Sequence, residues 1–421
     1  MSGVPVPKFV FRGHQKAVHA ATFVRKNERL VTGDSDGYVV LWDLMTMRAK
    51  AVWRAHEKAI LGVQGWGDDK LITHGRDHKL IVWKIQEDDE TRLSTALPLD
   101  GPSVDRPQPW VLHLLEVNTM NFCSFAACPA APTGHCRFLD TAPEILVAVP
   151  NTLASEAIDI YSLPSQQRLH TIKTGASNGM AMSLAVFHHL ERLTLIGAFE
   201  NGYASVHQLS STAAGTWVMT YRSQAHSQPV LSLDVRPDMS CFFTSSADAI
   251  IAKHPVPTQP QARAAGPAQR PGQEPPGGAK GKYGDRPDSE SVAAKEWQHP
   301  KKVVNTKHAG QQSLCVRSDG ALFATAGWDS KIRIYSCKTM KELAVLKWHK
   351  EGAYAVTFSN VGPGETQMFM DSERGGQDGT QSDALDVSRL TVTDRRSHRA
   401  KTAHWVAAGA KDGRVSLWDI F

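Results

Sequence analysis

The sequence predicts an all-β protein closed into a ring of seven small sheets, a seven-bladed β-propeller. Three observations carry that expectation. A hairpin pattern recurs along the 421 residues. Its copies number seven. The last copy lacks an outer strand that the first residues of the chain can supply.

The hairpin is clearest at residues 30–44 (LVTGDSDGYVVLWDL), 71–85 (LITHGRDHKLIVWKI) and 406–420 (VAAGAKDGRVSLWDI). Each is a β-rich run, a tight turn carrying Asp and often Gly, and a second alternating run that ends at Trp. Six residues separate the turn Asp from the aromatic: Asp36 to Trp42, Asp77 to Trp83, Asp412 to Trp418 and Asp329 to Tyr335. The same offset joins Asp248 to His254, Asn201 to His207 and, in the most worn copy, Ser155 to Tyr161.

A second marker lies upstream. His14 precedes Trp42 by 28 residues, His56 precedes Trp83 by 27, His226 precedes His254 by 28 and His308 precedes Tyr335 by 27. His349 belongs to the last copy, set apart from Trp418 by an insertion. Thr32, Thr73, Thr244 and Thr325 stand four residues before the turn Asp. Two copies carry the whole set: His14, Thr32, Asp36, Trp42 and His56, Thr73, Asp77, Trp83. This arrangement resembles the WD40 repeat, with its Gly-His start, Trp-Asp end and Asp-His-Ser/Thr-Trp network. The expected chemistry is structural. A buried turn carboxylate costs several kcal/mol unless partnered, and a histidine, a hydroxyl and an indole N–H supply one connected set of hydrogen bonds. A nucleophile triad would occur once, whereas this set repeats at blade spacing.

Blade lengths of about 40–45 residues fit 41 residues from Trp42 to Trp83, 46 from Tyr161 to His207 and 47 from His207 to His254. The intervals of 78, 81 and 83 residues each hold either two blades or one blade with an insertion. Residues 255–299, rich in Pro, Gly and Gln, and residues 361–400, polar and unpatterned, read as disordered insertions, so seven blades are preferred over ten. Residues 86–108 and 129–143 are decorated loops. The expected blades are 13–50, 53–108, 109–170, 171–215, 220–254, 300–345 and 346–421, the last completed by a strand at 8–12 (KFVFR). That pairing leaves no open strand edge.

Composition narrows the function classes. Net charge is +5, which argues against direct nucleic-acid binding. The six cysteines form no C-x-x-C pair, so a reducing compartment fits. The first residues hold no apolar signal segment, and no apolar run is long enough for a membrane span. No G-x-S-x-G, Walker A, G-x-G-x-x-G, H-E-x-x-H or EF-hand string occurs, so neither enzyme activity nor a cofactor is expected. Cys123, Cys128 and His135-Cys136 match no zinc spacing. The acidic run Glu87, Asp88, Asp89, Glu90 reads as a solvated loop. Arg395, Arg396, His398, Arg399 and Lys401, with Lys301-Lys302, read as exposed loop residues, with nuclear import or phosphate contact as the alternative.

Binding by such a ring falls on its faces. The residue before each turn Asp should project at one face: Ser35, Arg76, Ala247, Trp328 and Lys411. Five residues after each blade-start His lie His19, Leu61, Leu231, Ser313 and Tyr354. From these, His19, Arg76, Trp328, Tyr354 and Lys411 are the candidate partner-binding face, since Trp, Tyr and Arg dominate interface energetics.

More specific than the repeat is the combination of FRGHQKAVHAATFVRKNERLVTGDSDGYVVLWDL, RAHEKAILGVQGW with LITHGRDHKLIVWKI, and the terminal VAAGAKDGRVSLWDIF. Together they resemble the fungal ASTRA-associated protein family, itself similar to animal G-protein β-subunit-like proteins. The resemblance implies a scaffold subunit of the ASTRA assembly, linked to chromatin regulation. Its implied partners are other ASTRA subunits, co-chaperones of PI3-kinase-like kinases, those kinases, and paired AAA+ ATPases. Its implied place is the nucleus, with the cytoplasm as the alternative. The rival readings are a histone or peptide reader and a cullin-ligase substrate receptor. A G-protein β subunit needs a helical segment before blade one, for which residue 14 leaves no room, and no Trp-Asp-x-Arg box is present: the blade ends read WDLM, WKIQ and WDIF.

Overall fold

The computed structural model describes residues 5–101, 106–117, 122–132, 139, 141–154, 156–210, 215–257, 298–361 and 391–420. They form seven four-stranded antiparallel sheets. Blade one holds β2 (Val18–Val24), β3 (Arg29–Asp34), β4 (Tyr38–Asp43) and β5 (Arg48–Arg54). Blade two holds β6 (Ile60–Trp66), β7 (Lys70–Gly75), β8 (Lys79–Lys84) and β9 (Trp110–Glu116). Blade three holds β10 (Ala126–Pro129), β11 (Ile145–Pro150), β12 (Ala157–Leu163) and β13 (Gln167–Lys173); blade four, β14 (Ala181–His189), β15 (Arg192–Phe199), β16 (Tyr203–Leu209) and β17 (Trp217–Gln224). Blade five is β18 (Val230–Val235), β19 (Cys241–Ser246), β20 (Ile250–Pro255) and β21 (Lys302–Asn305); blade six, β22 (Gln311–Val316), β23 (Leu322–Gly327), β24 (Lys331–Ser336) and β25 (Glu342–Lys347). Blade seven joins β26 (Ala353–Phe358), β27 (Trp405–Ala410) and β28 (Arg414–Asp419) to β1 (Phe9–Arg12) from the start of the chain. Phe9 pairs with Leu417 and Arg12 with Arg414, so the first residues close the ring as expected.

The blade spans differ from the sequence expectation at their outer strands. β9 and β17 lie wholly beyond residues 108 and 215, and β21 lies on the far side of the 258–297 segment, so 302–305 completes blade five rather than opening blade six. Outer strands are mostly exposed, as in β13 and β21. They therefore lack the apolar alternation that marks an inner strand.

One apolar cluster fills each of the seven blade-to-blade interfaces. Between blades one and two, Leu41, Trp53, Ile60, Leu71 and Trp83 interdigitate; between five and six, Phe243, Phe323 and Tyr335 stack. Every fully buried Trp or Phe of this kind stabilises by about 2–3 kcal/mol. Turn glycines let neighbours approach: at Gly37 (φ +86°) a Cβ would lie 1.9 Å from the His56 carbonyl oxygen, and at Gly413 (φ +74°) it would lie 2.3 Å from that of His14. Both sites sit where one blade's turn meets the next blade's first residue, so glycine is required there.

The tight turns between second and third strands and the crossings between blades lie at one end of the ring, the top. The insertions all leave from the bottom, because each links either the first and second or the third and fourth strands of its blade. Residues 258–297 and 362–390 lie outside the described residues. The expected disorder up to residue 400 is corrected: Val392–Thr402 is a helix, α1. Thr391 and Asp394 form a reciprocal capping box, and Ala400 is buried beside Trp405, whose indole donates to the Ala400 carbonyl at 3.1 Å. The basic residues from Arg395 to Lys401 therefore stand on a helix. Lys401 reaches Glu28 at 2.8 Å.

The acidic run is solvated at Glu87 and Asp88, as expected, and is corrected at its last residue. Glu90 is buried between Arg25 and Arg29, with Arg29 Nη2 donating at 3.1 Å. Its loop runs back along blade one: the Val52 amide donates to Ser94 O at 2.7 Å and the Leu99 amide to Gly13 O at 3.0 Å. A charge run reads as solvated until two arginines from another blade are placed over it.

Candidate interaction face

In blades one, two and five the recurring His, Asp and hydroxyl residues bond one another inside the blade. In blade two the Trp83 indole donates to Thr73 Oγ1 at 2.8 Å, Thr73 meets His56 Nε2 at 2.8 Å, and His56 Nδ1 meets Asp77 at 2.9 Å. Burial works against the Asp77 carboxylate, but the bonds from His56 and the Glu57 amide outweigh it and hold its carboxyl down at about 2. Blade one has the same chain from Trp42 through Thr32 to His14, at 2.9 and 2.8 Å. Its acid is Asp34 rather than the expected Asp36: His14 Nδ1 meets Asp34 Oδ2 at 2.7 Å, and Asp34 also accepts from the amides of Asp36 and Tyr38. Asp34 ends β3 fully buried, whereas Asp36 sits within the turn and stays partly exposed. In blade five His254 replaces the indole, giving Thr244 a 2.8 Å bond and receiving Tyr221 on its other nitrogen at 2.7 Å.

Where the hydroxyl is missing from the second strand, a polar group appears across the pair on the third. Blade seven has Ala408 opposite Ser416, and Ser416 takes both the Trp418 indole (2.9 Å) and His349 (2.8 Å). Blade four has Gly197 opposite Ser205, which bonds His207 at 3.0 Å. Blade three has Val149 opposite Asp159, bonded by Asn151 at 2.8 Å; Ser155, the expected anchor there, lies outside the described residues. Sequence reasoning counted along one strand and missed these partners. Their signal is a Ser or Asp two residues before the aromatic.

No group of three metal-ligating residues occurs among the described residues. Cys123 and Cys128 are buried, and burial pushes the Cys128 thiol up to about 12. His135 and Cys136 lie outside the described residues. No described helix is long and apolar enough to cross a membrane.

The top of the ring is organised by β-bulges. In six blades the first strand carries one extra residue where it meets the second: His19, Leu61, Met182, Leu231, Gln312 and Tyr354. A bulge re-aims its side chain, and these six line a cavity of about 540 Å³ at the channel mouth together with Arg76 and Phe122. Blade six supplies Gln312 where counting from His308 gave Ser313, because its crossing is one residue shorter. The residue before the turn is pinned at the rim by its own amide: Arg76 N to Ala59 O at 2.9 Å, Trp328 N to Gly310 O at 2.9 Å and Lys411 N to Gly352 O at 2.9 Å. Glu200 holds this position in blade four and was missed, since its turn reads Glu-Asn-Gly without Asp.

Of the five candidate face residues, His19, Arg76 and Tyr354 line the mouth. The His19 and Tyr354 rings stack at 5.4 Å, and the Arg76 guanidinium lies 4.4 Å from the Phe122 ring centroid. Trp328 and Lys411 stand on the rim outside the cavity. The Trp328 indole donates to Gln312 at 2.8 Å, its ring rests on Gly310, and it stays 47% exposed.

The WD domain, G-beta repeat model matches residues 5–43 and 301–336. ASTRA-associated protein 1 of Verticillium alfalfae is 52% identical across 100% of this chain and 94% of its own length. The proteins of that name from Pyricularia oryzae (48% identical, 99% of this chain and 97% of that protein) and Schizosaccharomyces pombe (31% identical, 85% and 95%) are also similar. The chain belongs to the ASTRA-associated protein 1 family. Membership spans the full propeller, insertions included, and the expectation drawn from blades one, two and seven therefore extends to the middle blades. In this ASTRA-associated protein 1 family member the His–Thr–Asp sets of blades one, two and five close inside their blades, and the top cavity is lined by other side chains.

Proposed function

We infer that this chain is a non-catalytic WD40 scaffold subunit of the ASTRA assembly. It works in the nucleus in chromatin regulation and in assembling PI3-kinase-like kinases with their co-chaperones and AAA+ ATPases. The observation that carries this reading is the full-length relationship to proteins named ASTRA-associated protein 1. The blade interiors support it: in blades one, two and five the histidine and the carboxylate bond each other inside the blade. The test is affinity purification of the tagged chain from its native cell followed by mass spectrometry. Recovery of ASTRA subunits, kinase co-chaperones and AAA+ ATPases is expected. Recovery of cullin adaptors, or of histones alone, sinks the reading in favour of a ligase receptor or a histone reader.

A further inference from the structure

We propose that the top mouth is a docking site for a short extended segment of a protein partner, one that places an acidic side chain beside a large apolar one. The inference rests on the scaffold reading and names the chemistry of a partner for it.

Three features argue for that occupant. First, the wall is divided. Leu61, Met182 and Leu231, aimed inward by their bulges, make an apolar arc through blades two, four and five, and Phe122 stands exposed at its edge. An apolar side chain entering there loses contact with water on several sides at once.

Second, Arg76 stands at the end of that arc with no carboxylate within 4 Å among the described residues, although most buried or half-buried arginines here, such as Arg29, Arg317 and Arg333, are paired. Its neighbours are the Phe122 face and His19. Burial lowers the His19 imidazole; Asp34 opposes this, and Arg76 adds to the lowering. Asp77, next in sequence, is already held by His56. A guanidinium on an aromatic face keeps its in-plane N–H groups free for a carboxylate, and in a half-apolar site that bond is worth more than in water.

Third, the charge on the rim favours an anion. Arg76 and Lys411 are cationic, and the acid at the equivalent position, Glu200, faces the Met180 amide at 3.5 Å in blade four. The bottom differs: Arg25, Arg236, Arg317 and Lys401 are each paired with an acid there. The insertions also leave from that end. At the top, the apolar arc and a guanidinium with no carboxylate within 4 Å among the described residues meet in one cavity.

The test is selection of a displayed library of short random peptides on the immobilised full-length chain, followed by fluorescence polarisation with the selected peptides. Enrichment of an acidic residue next to Leu, Phe or Trp is expected. Binding should weaken about tenfold or more in Arg76→Ala and in Leu231→Asp, recover in part in Arg76→Lys, and stay unchanged in Lys26→Ala at the bottom. Thermal melts check that each variant is folded. Selection of basic peptides, no selected motif, or peptides that bind Arg76→Ala and Leu231→Asp as they bind the parent each overturn the proposal. That failure would leave the assembly reading standing, since copurification reports partners whichever surface holds them. Failed copurification with intact peptide binding would remove the assembly and keep the site.

Discussion

Blades two and six carry the same letters at the same spacing and are wired differently. Each has a histidine 27 residues before its aromatic, a threonine on the second strand and an aspartate in the turn. In blade two these residues form one chain from Trp83 to Asp77. In blade six Arg333 stands opposite Thr325, where blade two has Ile81 opposite Thr73. Arg333 takes Asp329 with two bonds, at 3.1 and 2.6 Å, and His308 is left 3.8 Å away and half exposed. A single intruding cation captures the acid because a guanidinium–carboxylate pair with two bonds outcompetes a single imidazole bond. The motif specifies candidates; the residue facing them decides the bonds.

The largest expected effect follows from which blades bury imidazoles. Burial holds His74 down at about 3, His207 at about 4 and His254 at about 3, whereas an imidazole in the unfolded chain titrates at 6.5. Below about pH 6.5 the unfolded chain therefore binds protons that the folded chain refuses, so stability is full above that pH and falls as pH drops toward 4. At pH 5 each site contributes a loss of about 2 kcal/mol, about 6 in total. Blade six has Ala326 where blade two has His74. Urea titrations at pH 7 and pH 5 measure the difference, and equal midpoints would remove the argument. Neither ring nitrogen of His74 has a hydrogen bond, so His74→Leu should remove about a third of the pH dependence without loss at pH 7.

Next in size is the blade-six pair itself. Asp329→Ala leaves the buried Arg333 without its main partner and should lose about 3 kcal/mol; Arg333→Ile added to it should recover most of that loss. A double variant no more stable than the single one breaks the comparison at its centre.

Removing the hub hydroxyl comes third. Thr73→Val orphans both the Trp83 indole and His56 and should lose about 2 kcal/mol, while Thr325→Val should lose under about 1, since Thr325 Oγ1 makes no hydrogen bond. Thermal melts of the two variants compare them directly. Smallest is the turn of blade one: Asp36→Ala should change stability by less than about 0.5 kcal/mol, with Asp34→Ala several times worse. Equal effects would restore Asp36 to the network.

The sequence by itself determined the fold class, the blade number and the closing strand. Those depend on repeated local patterns, inward-facing apolar residues and turn chemistry, which recur at fixed spacing and can be counted. It also determined most of one network, from His56 to Trp83, where every partner lies on adjacent strands of one hairpin or just before it. The tertiary structure decided what depends on residues distant in sequence. Glu90 became buried because Arg25 and Arg29 of another blade cover it. Ser416 and Ser205 replaced missing threonines because cross-strand distance, not chain distance, sets a hydrogen bond. Asp34 displaced Asp36 because two residues of turn separate a strand end that points inward from a loop tip that does not. The mouth is of the same kind: Leu61 and Arg76 come from blade two, Phe122 from the approach to blade three and Leu231 from blade five, and only closure of the ring brings them around one cavity.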